Sequence, residues 1–388
     1  MFIPRNIESS ILNLISKFPI ISLTGPRQSG KTTLLKNMFP NYQYVSLDYI
    51  DNREFAINDP RGFLEKYDKY VIIDEAQRVP QIFNYLQGKV DNDQIMGQYI
   101  LSGSQNFLLL QSITQSLAGR VAILRLLPFD FSELNAQQLL ENNYLTHCFK
   151  GFYPSIYDRK IDSPFFYDSY IESYVERDIR TIINVKDLSL FRLFLKLCAG
   201  RAGQLLNLNA VANECGISSN TARSWLSILE TSYIVFVLPP YFQNINKRLI
   251  KAPKLYFWDT GLLSFLLDIK HSDQLESHYL RGNIFENLVI AEMFKTNYHR
   301  LQQRNFYFYR DSNQNEIDLM IQNAAKFDLV EIKSSKTINT EFFKGIQYFE
   351  KHMPNLIQNK YLIFGGDDSY KRQEVNVLGW KSSSKILE

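Results

Sequence analysis

The stretch Gly25 to Thr32, "GPRQSGKT", has the spacing G-x-x-x-x-G-K-[ST] and stands between an apolar run, "PIISLT", and a helix-forming run, "KTTLLKNMF". That context lets glycines curl the backbone so that its N–H groups, with those of the helix N-terminus, face phosphate oxygens. A helix start leaves four unpaired donors and the positive end of its dipole, both of which favour an anion. The predicted cradle comprises Gly25, Pro26, Arg27, Gln28, Ser29, Gly30, Lys31, Thr32 and Thr33. Lys31 reaches the outer phosphates, and the Thr32 hydroxyl is a magnesium ligand.

A second motif completes the chemistry. The strand "YVIIDE" ends in Asp74 and Glu75. An acid at the end of an apolar strand can join a metal shell, and the next one can polarise an attacking water as a general base. Ser104, at the tip of "QYILSGS", either senses the terminal phosphate or caps a following helix. Arg120, in "LAGRV", either reaches a neighbouring subunit's nucleotide as an arginine finger or forms a surface salt bridge.

A third cluster lies near the C-terminus, in "EIDLMIQNAAKFDLVEIK". Strand alternation puts Ile317, Leu319 and Ile321 on one face and Glu316 and Asp318 on the other, and sets Glu331 and Lys333 together at the end of the next strand. Two adjacent strands can thus converge Asp318, Glu331 and Lys333. Buried charges cost several kcal/mol each unless paired, hydrated or bound to metal. Magnesium suits carboxylates plus water, with a lysine beside it to activate that water; otherwise the lysine simply neutralises the acids or clamps nucleic acid.

From Leu205 to Trp258 two short helices, "LNAVANEC" and "SNTARSWLSILETS", meet at Gly216 and are followed by strands "YIVFVLPPY" and "KLYFWD" around the basic segment "NKRLIK". This is the plan of a winged helix. With Ser218 as cap, Ser219, Asn220 and Arg223 face outward while Ala222, Trp225, Leu226 and Leu229 form the inward stripe. Asn220, Arg223, Lys247 and Arg248 are the candidate DNA contacts; packing or protein contact is the competing use.

The elements that position these groups follow from the pattern. Five short apolar runs between Ile20 and Leu127, each ending in polar residues, predict buried parallel strands in an α/β sheet with its site at the strand ends. Four regions are expected: residues 1–141 with the phosphate loop, a helical lid or connector over 142–200, a winged helix over 201–260 and a further α/β region over 261–388. A chain of 388 residues accommodates several cores, and 45% hydrophobic with 21% charged residues argues against wholesale disorder. A net charge of +3 does not by itself demand a nucleic-acid partner. Three cysteines without C-x-x-C spacing fit a reducing compartment. Neither a signal peptide nor an apolar run of about 20 residues is found, so the expected location is the cytoplasm, without a membrane.

The first region resembles an AAA+-type ATPase domain, the "DE" pair and the "LSGS" strand being part of that pattern. Nearly end to end, the chain resembles a group of prokaryotic ATPases that join such a domain to a winged helix and a restriction-endonuclease-like fold; "ESYVERDI", "FWDTGLL" and "RGNIFENLVIAE" carry that likeness, and "GFYP" at Gly151 departs from it. D…E-x-K resembles the PD-(D/E)xK nuclease core, with Asn315-Glu316-Ile317 in place of the usual proline before the aspartate. The resemblance implies ATP and Mg2+ as cofactors, with Asp318 and Glu331 as metal ligands, Lys333 activating water and Glu286 completing the metal shell. It also implies double-stranded or branched DNA as partner and assembly as a homo-oligomer. Two outcomes stay open: an ATP-controlled nuclease, or an ATP switch whose C-terminal domain only binds.

Overall fold

The computed structural model describes residues 2–104, 117–175, 188–241 and 252–388, which form two compact units. The first comprises Met1–Phe129 with the short segments Thr231–Tyr233 and Tyr298–Leu301. Its sheet contains β1 (Ile20–Thr24), β2 (Gln43–Ser46), β3 (Val71–Asp74), β4 (Tyr99–Gly103) and β5 (Val121–Arg125), all parallel and ordered β2-β3-β4-β1-β5. Both faces are covered, so every residue of β1 and β4 is buried and the apolar residues do not alternate with exposed polar ones. In β3, Val71 and Ile73 point into one core with Leu101, Phe83 and Leu86, while Ile72 points into the other with Ile21, Leu23 and Ile100. The order has a functional consequence. Because β4 lies between β1 and β3, the loop after β1 faces Asp74 across the end of β4, not from a neighbouring strand.

The second unit comprises Asp130–Glu230, Ile234–Asn297 and Gln302–Glu388. Its early part is helical, including Tyr144–Lys150, Ser163–Tyr170 and Leu188–Ala199. The "FWD" acid is a staple here: buried Asp259 accepts the Phe152 N–H (2.7 Å), the Leu262 N–H (2.9 Å) and the Tyr167 hydroxyl (2.6 Å). Gly151 packs so closely on this staple that a Cβ would lie 1.9 Å from the Tyr167 hydroxyl, and its φ of +73° favours glycine as well.

The helices Leu208–Cys215 and Ser219–Thr231 are joined through Gly216, whose φ of +69° ends the first in a left-handed turn. The Ser218 hydroxyl accepts the Thr221 N–H at 3.1 Å and starts the second helix. Ala222, Trp225, Leu226 and Leu229 are buried as the periodicity requires, with Trp225 edge-on to Phe191 and Phe194. Asn220 and Arg223 are exposed on the opposite face. Strands β6 (Val235–Leu238) and β7 (Lys254–Phe257) form an antiparallel pair.

Further strands β8 (Phe306–Arg310), β9 (Glu316–Asn323), β10 (Lys326–Lys333), β11 (Ile357–Phe364), β12 (Ser369–Arg372) and β13 (Val375–Gly379) make a mixed sheet ordered β12-β13-β11-β10-β9-β8. The helix Lys344–His352 buries Ile346 and Phe349 in the core that also holds Ile317, Met320 and Leu329. Residues on both faces of β9 and β10 are therefore buried, including Asp318 and Glu331.

Candidate functional site

The loop "GPRQSGKT" closes tightly over the end of β1. A Cβ on Gly25 would stand 2.0 Å from the Leu126 carbonyl oxygen, and Gly30 has a φ of +92° as it opens the helix Lys31–Met38. Lys31 folds back into the turn, its Nζ donating to the carbonyls of Gly25 (2.9 Å) and Pro26 (2.8 Å). Inside the loop the Ser29 hydroxyl is buried and has no hydrogen-bond partner. A turn of this kind fits a polyphosphate: it offers the helix N-terminus, a buried ammonium lying on carbonyls, and an orphaned hydroxyl.

The magnesium position fits as well. The Thr32 hydroxyl donates to Asp74 Oδ2 at 2.8 Å, placing both candidate ligands at one point. Asp74 is buried and held firmly: Oδ2 also accepts the Tyr44 hydroxyl (2.8 Å), and Oδ1 accepts the Ser102 hydroxyl and the Glu75 N–H (3.1 Å). Burial and the adjacent Asp74 push the Tyr44 phenol well above its ordinary pKa, so it remains a donor. Glu75 sits in a left-handed turn with φ of +54°, and its Oε2 accepts from Gln77 Nε2 (2.5 Å) and Ser104 Oγ (3.2 Å). Ser104 thus stands beside Glu75. Arg27, Gln28 and Thr33 lie on the same loop and first helical turn.

Two contributors were hidden in the sequence. Buried Arg5 donates to the Ser29 carbonyl (2.9 Å) and the Leu127 carbonyl (2.7 Å), tying the loop to the chain beyond β5. Hydrogen bonds from a charged donor are worth about 1.5–3 kcal/mol each, so this brace holds the loop's shape. Tyr44 is the second; its signal was an aromatic with a polar tip on a strand next to the acid-bearing one. Arg120, by contrast, lies on the surface in a two-pronged pair with Asp91 (2.6 and 2.8 Å).

The C-terminal cluster gathers the residues expected of it, with one unexpected addition. Lys333 Nζ lies 2.9 Å from Glu331 Oε2 and 3.2 Å from Asp318 Oδ2, and Asp318 Oδ2 also accepts the Ile332 N–H (2.8 Å). Burial and the Asp318 charge raise Glu331 well above the usual carboxylate range; Asp318 is lowered against its burial by Lys333 and Lys254.

Glu286, expected in the metal shell, faces an ammonium instead. Its Oε1 accepts from Lys254 Nζ (2.8 Å) and the Tyr256 hydroxyl (2.5 Å). Lys254, at the start of β7, is 2% exposed and also pairs with Glu316, whose other oxygen is 3.1 Å from Arg310 Nη1. Burial alone would lower the Lys254 pKa, but Glu286, Asp318 and Glu316 together outweigh it and keep the ammonium charged. Removing one member of such a buried pair costs about 3–5 kcal/mol. A cavity of about 400 Å3 opens here, lined among others by Lys254, Asn283, Glu286, Arg310 and Glu316. A divalent ion at Asp318 and Glu331 would need Lys333, whose side chain is one-third exposed, to swing aside; Lys254 is enclosed against Glu286, so an ion does not fit there while it is in place.

Of the candidate DNA contacts, Asn220 and Arg223 lie on one exposed helix face, and Lys247 and Arg248 fall outside the described residues. Among the described residues no helix is long and apolar enough to cross a membrane.

Comparison with known proteins gives three matched regions. Residues 17–135 match the family described as an AAA domain, and residues 141–273 and 281–382 match two domains of unknown function, DUF8612 and DUF4143. Uncharacterized proteins of Mycobacterium bovis and Mycobacterium tuberculosis are each 29% identical over 339 residues, covering 86% of this chain and 74% of theirs. Among solved structures, a Walker-type ATPase of Pyrococcus abyssi is similar with 14% identity and a TM-score of 0.45, covering 67% of this chain and 94% of that one. The RuvB Holliday junction branch migration motor of Thermotoga maritima has 16% identity and a TM-score of 0.32, covering 60% and 89%. The match to the AAA domain and a phosphate loop set in a parallel sheet agree: the chain carries an AAA-type P-loop ATPase domain.

Proposed function

We propose that the protein binds and hydrolyses ATP with Mg2+ and uses that cycle to change how its second unit engages DNA. The observation that carries the ATPase reading is the meeting of Thr32, Asp74 and Glu75 at the mouth of the phosphate loop. Lys31 would leave the Gly25 and Pro26 carbonyls for the outer phosphates. Thr32 and Asp74 would hold the ion, which screens phosphate charge. Glu75 takes a proton from the attacking water while Gln77 and Ser104 hold its carboxylate in place. Lys31→Ala tests this: ATP binding should fall at least tenfold, and undiminished binding would remove the loop from its role.

DNA engagement is supported by the exposed Asn220 and Arg223 on a helix whose other face is packed, as in a winged helix over 201–260. Arg120 would act on a neighbouring copy's nucleotide in a homo-oligomer, leaving Asp91 to do so.

A second reading, a nuclease-like domain over 261–388 that cuts DNA, is favoured by the convergence of Asp318, Glu331 and Lys333. Its test is incubation with linear, supercoiled and branched DNA plus Mg2+ or Mn2+, with and without ATP. Cleavage lost in Lys333→Ala supports it; ATP hydrolysis without cleavage leaves the switch.

A further inference from the structure

The nuclease-like cluster contains a cation of its own. Glu286, on the helix Arg281–His299, and Glu316, at the start of β9, both direct an oxygen at the Lys254 ammonium, which enters from β7 outside the C-terminal sheet. The Tyr256 hydroxyl, one turn of the pleat further on, donates to the same Glu286 oxygen, so both inward side chains of β7 at this end serve one carboxylate. Arg310 neutralises the far oxygen of Glu316, and Lys333 lies between Asp318 and Glu331. Four carboxyl groups, Glu286, Glu316, Asp318 and Glu331, thus face the cations Lys254, Arg310 and Lys333.

We propose that Lys254 is a built-in plug: its ammonium occupies the place against Glu286 and Glu316 that a divalent ion would need, and so keeps the cleft free of metal at that position. A divalent ion brought against Glu286 would lie beside the Lys254 ammonium, whose side chain is enclosed and has no water to screen the repulsion. The cleft then presents carboxylates already paired with ammonium and guanidinium groups, suited to binding over cutting while Lys254 stays in place. This inference rests on the nuclease-like reading of the cluster and is independent of the ATPase reading.

Mn2+ titration followed by electron paramagnetic resonance tests it on the full chain, in wild type, Glu286→Gln, Lys254→Met and the double variant. Mn2+ at Thr32 and Asp74 is common to all four and cancels in the comparison. The plug predicts equal Mn2+ stoichiometry in wild type and Glu286→Gln, and one more Mn2+ per chain in Lys254→Met that the double variant loses. A Glu286-dependent Mn2+ in wild type overturns the plug and leaves the nuclease-like reading standing. A folded Lys254→Met that gains no Mn2+ overturns the plug, while the nuclease-like reading is decided by the cleavage assay. Folding of Lys254→Met only with Mn2+ present also supports the plug; should it fold under neither condition, wild type against Glu286→Gln decides alone.

Discussion

Thr32 and Asp74, 42 residues apart in the chain, are joined by a hydrogen bond of 2.8 Å between the hydroxyl and Oδ2. The bond ties the first helical turn after β1 to the end of β3 across the intervening β4. Under the proposed function it would hold two magnesium ligands together before the ion arrives. Thr32→Val keeps the side chain's volume and removes the oxygen, so ATP turnover should fall tenfold or more and need a higher Mg2+ concentration. A Mg2+ titration of ATP turnover checks this; an unchanged Mg2+ requirement would take Thr32 out of the metal shell.

Arg5 braces the loop from below through the Ser29 and Leu127 carbonyls. Losing those bonds should loosen the cradle without touching Glu75. Arg5→Ala is expected to raise KM for ATP severalfold with kcat within about twofold, together with a lower Tm. Steady-state kinetics separate this from general destabilisation, which would lower the active fraction of enzyme, and so the apparent kcat, and leave KM unmoved.

His147 gives a pH signature. Burial first, then Lys150 and Lys381, lower its pKa from 6.5 to about 3. Its Nε2 accepts the Glu141 N–H at 2.8 Å, and its ring stacks on Phe152. The folded state therefore keeps the imidazole neutral while the unfolded chain takes up a proton below about pH 6.5. Stability should fall as pH drops through the window from 6.5 towards about 3, by about 2 kcal/mol at pH 5 from this group alone. His147→Gln retains an acceptor and should flatten the fall between pH 7 and pH 5 by that amount. Urea denaturation at the two values measures it, and an equal slope in both proteins would refute the assignment.

Arg223 and Asn220 make distinct predictions for DNA. If Arg223 meets a phosphate, Arg223→Ala should weaken binding uniformly across sequences and reduce the slope of log affinity against log salt by about one. Asn220→Ala should alter sequence preference more than the salt slope. Fluorescence anisotropy at several salt concentrations distinguishes the two; a salt slope unchanged in Arg223→Ala would point to a packing or protein-binding use of this helix.

The phosphate loop was legible because its chemistry is local: two glycines, one lysine and one hydroxyl at fixed spacing dictate the turn, and Gly30 adopts the positive φ that the turn needs. The helix stripe Ala222, Trp225 and Leu229 was legible for the same reason, through a period of 3.6. Convergence of Asp318, Glu331 and Lys333 followed from alternation along two adjoining strands. What spacing could not reveal depends on strand order and on contacts between distant segments. Placing β4 between β1 and β3 is a topological fact, and Tyr44, Arg5 and Lys254 act on groups 30, 24 and 32 residues away. Lys254 has one visible signal, a lysine opening the largely apolar run "KLYFWD", but the basic segment just before it makes that lysine read as part of a wing.

The most direct test of the central claim is hydrolysis in Glu75→Gln beside wild type, with ATP binding measured on the same samples. The substitution keeps the shape and the reach to Gln77 and Ser104 while removing the base. Loss of a general base predicts a kcat lower by about 100-fold or more with ATP affinity within a few fold of wild type. Equal turnover in the variant would take Glu75 out of the base role.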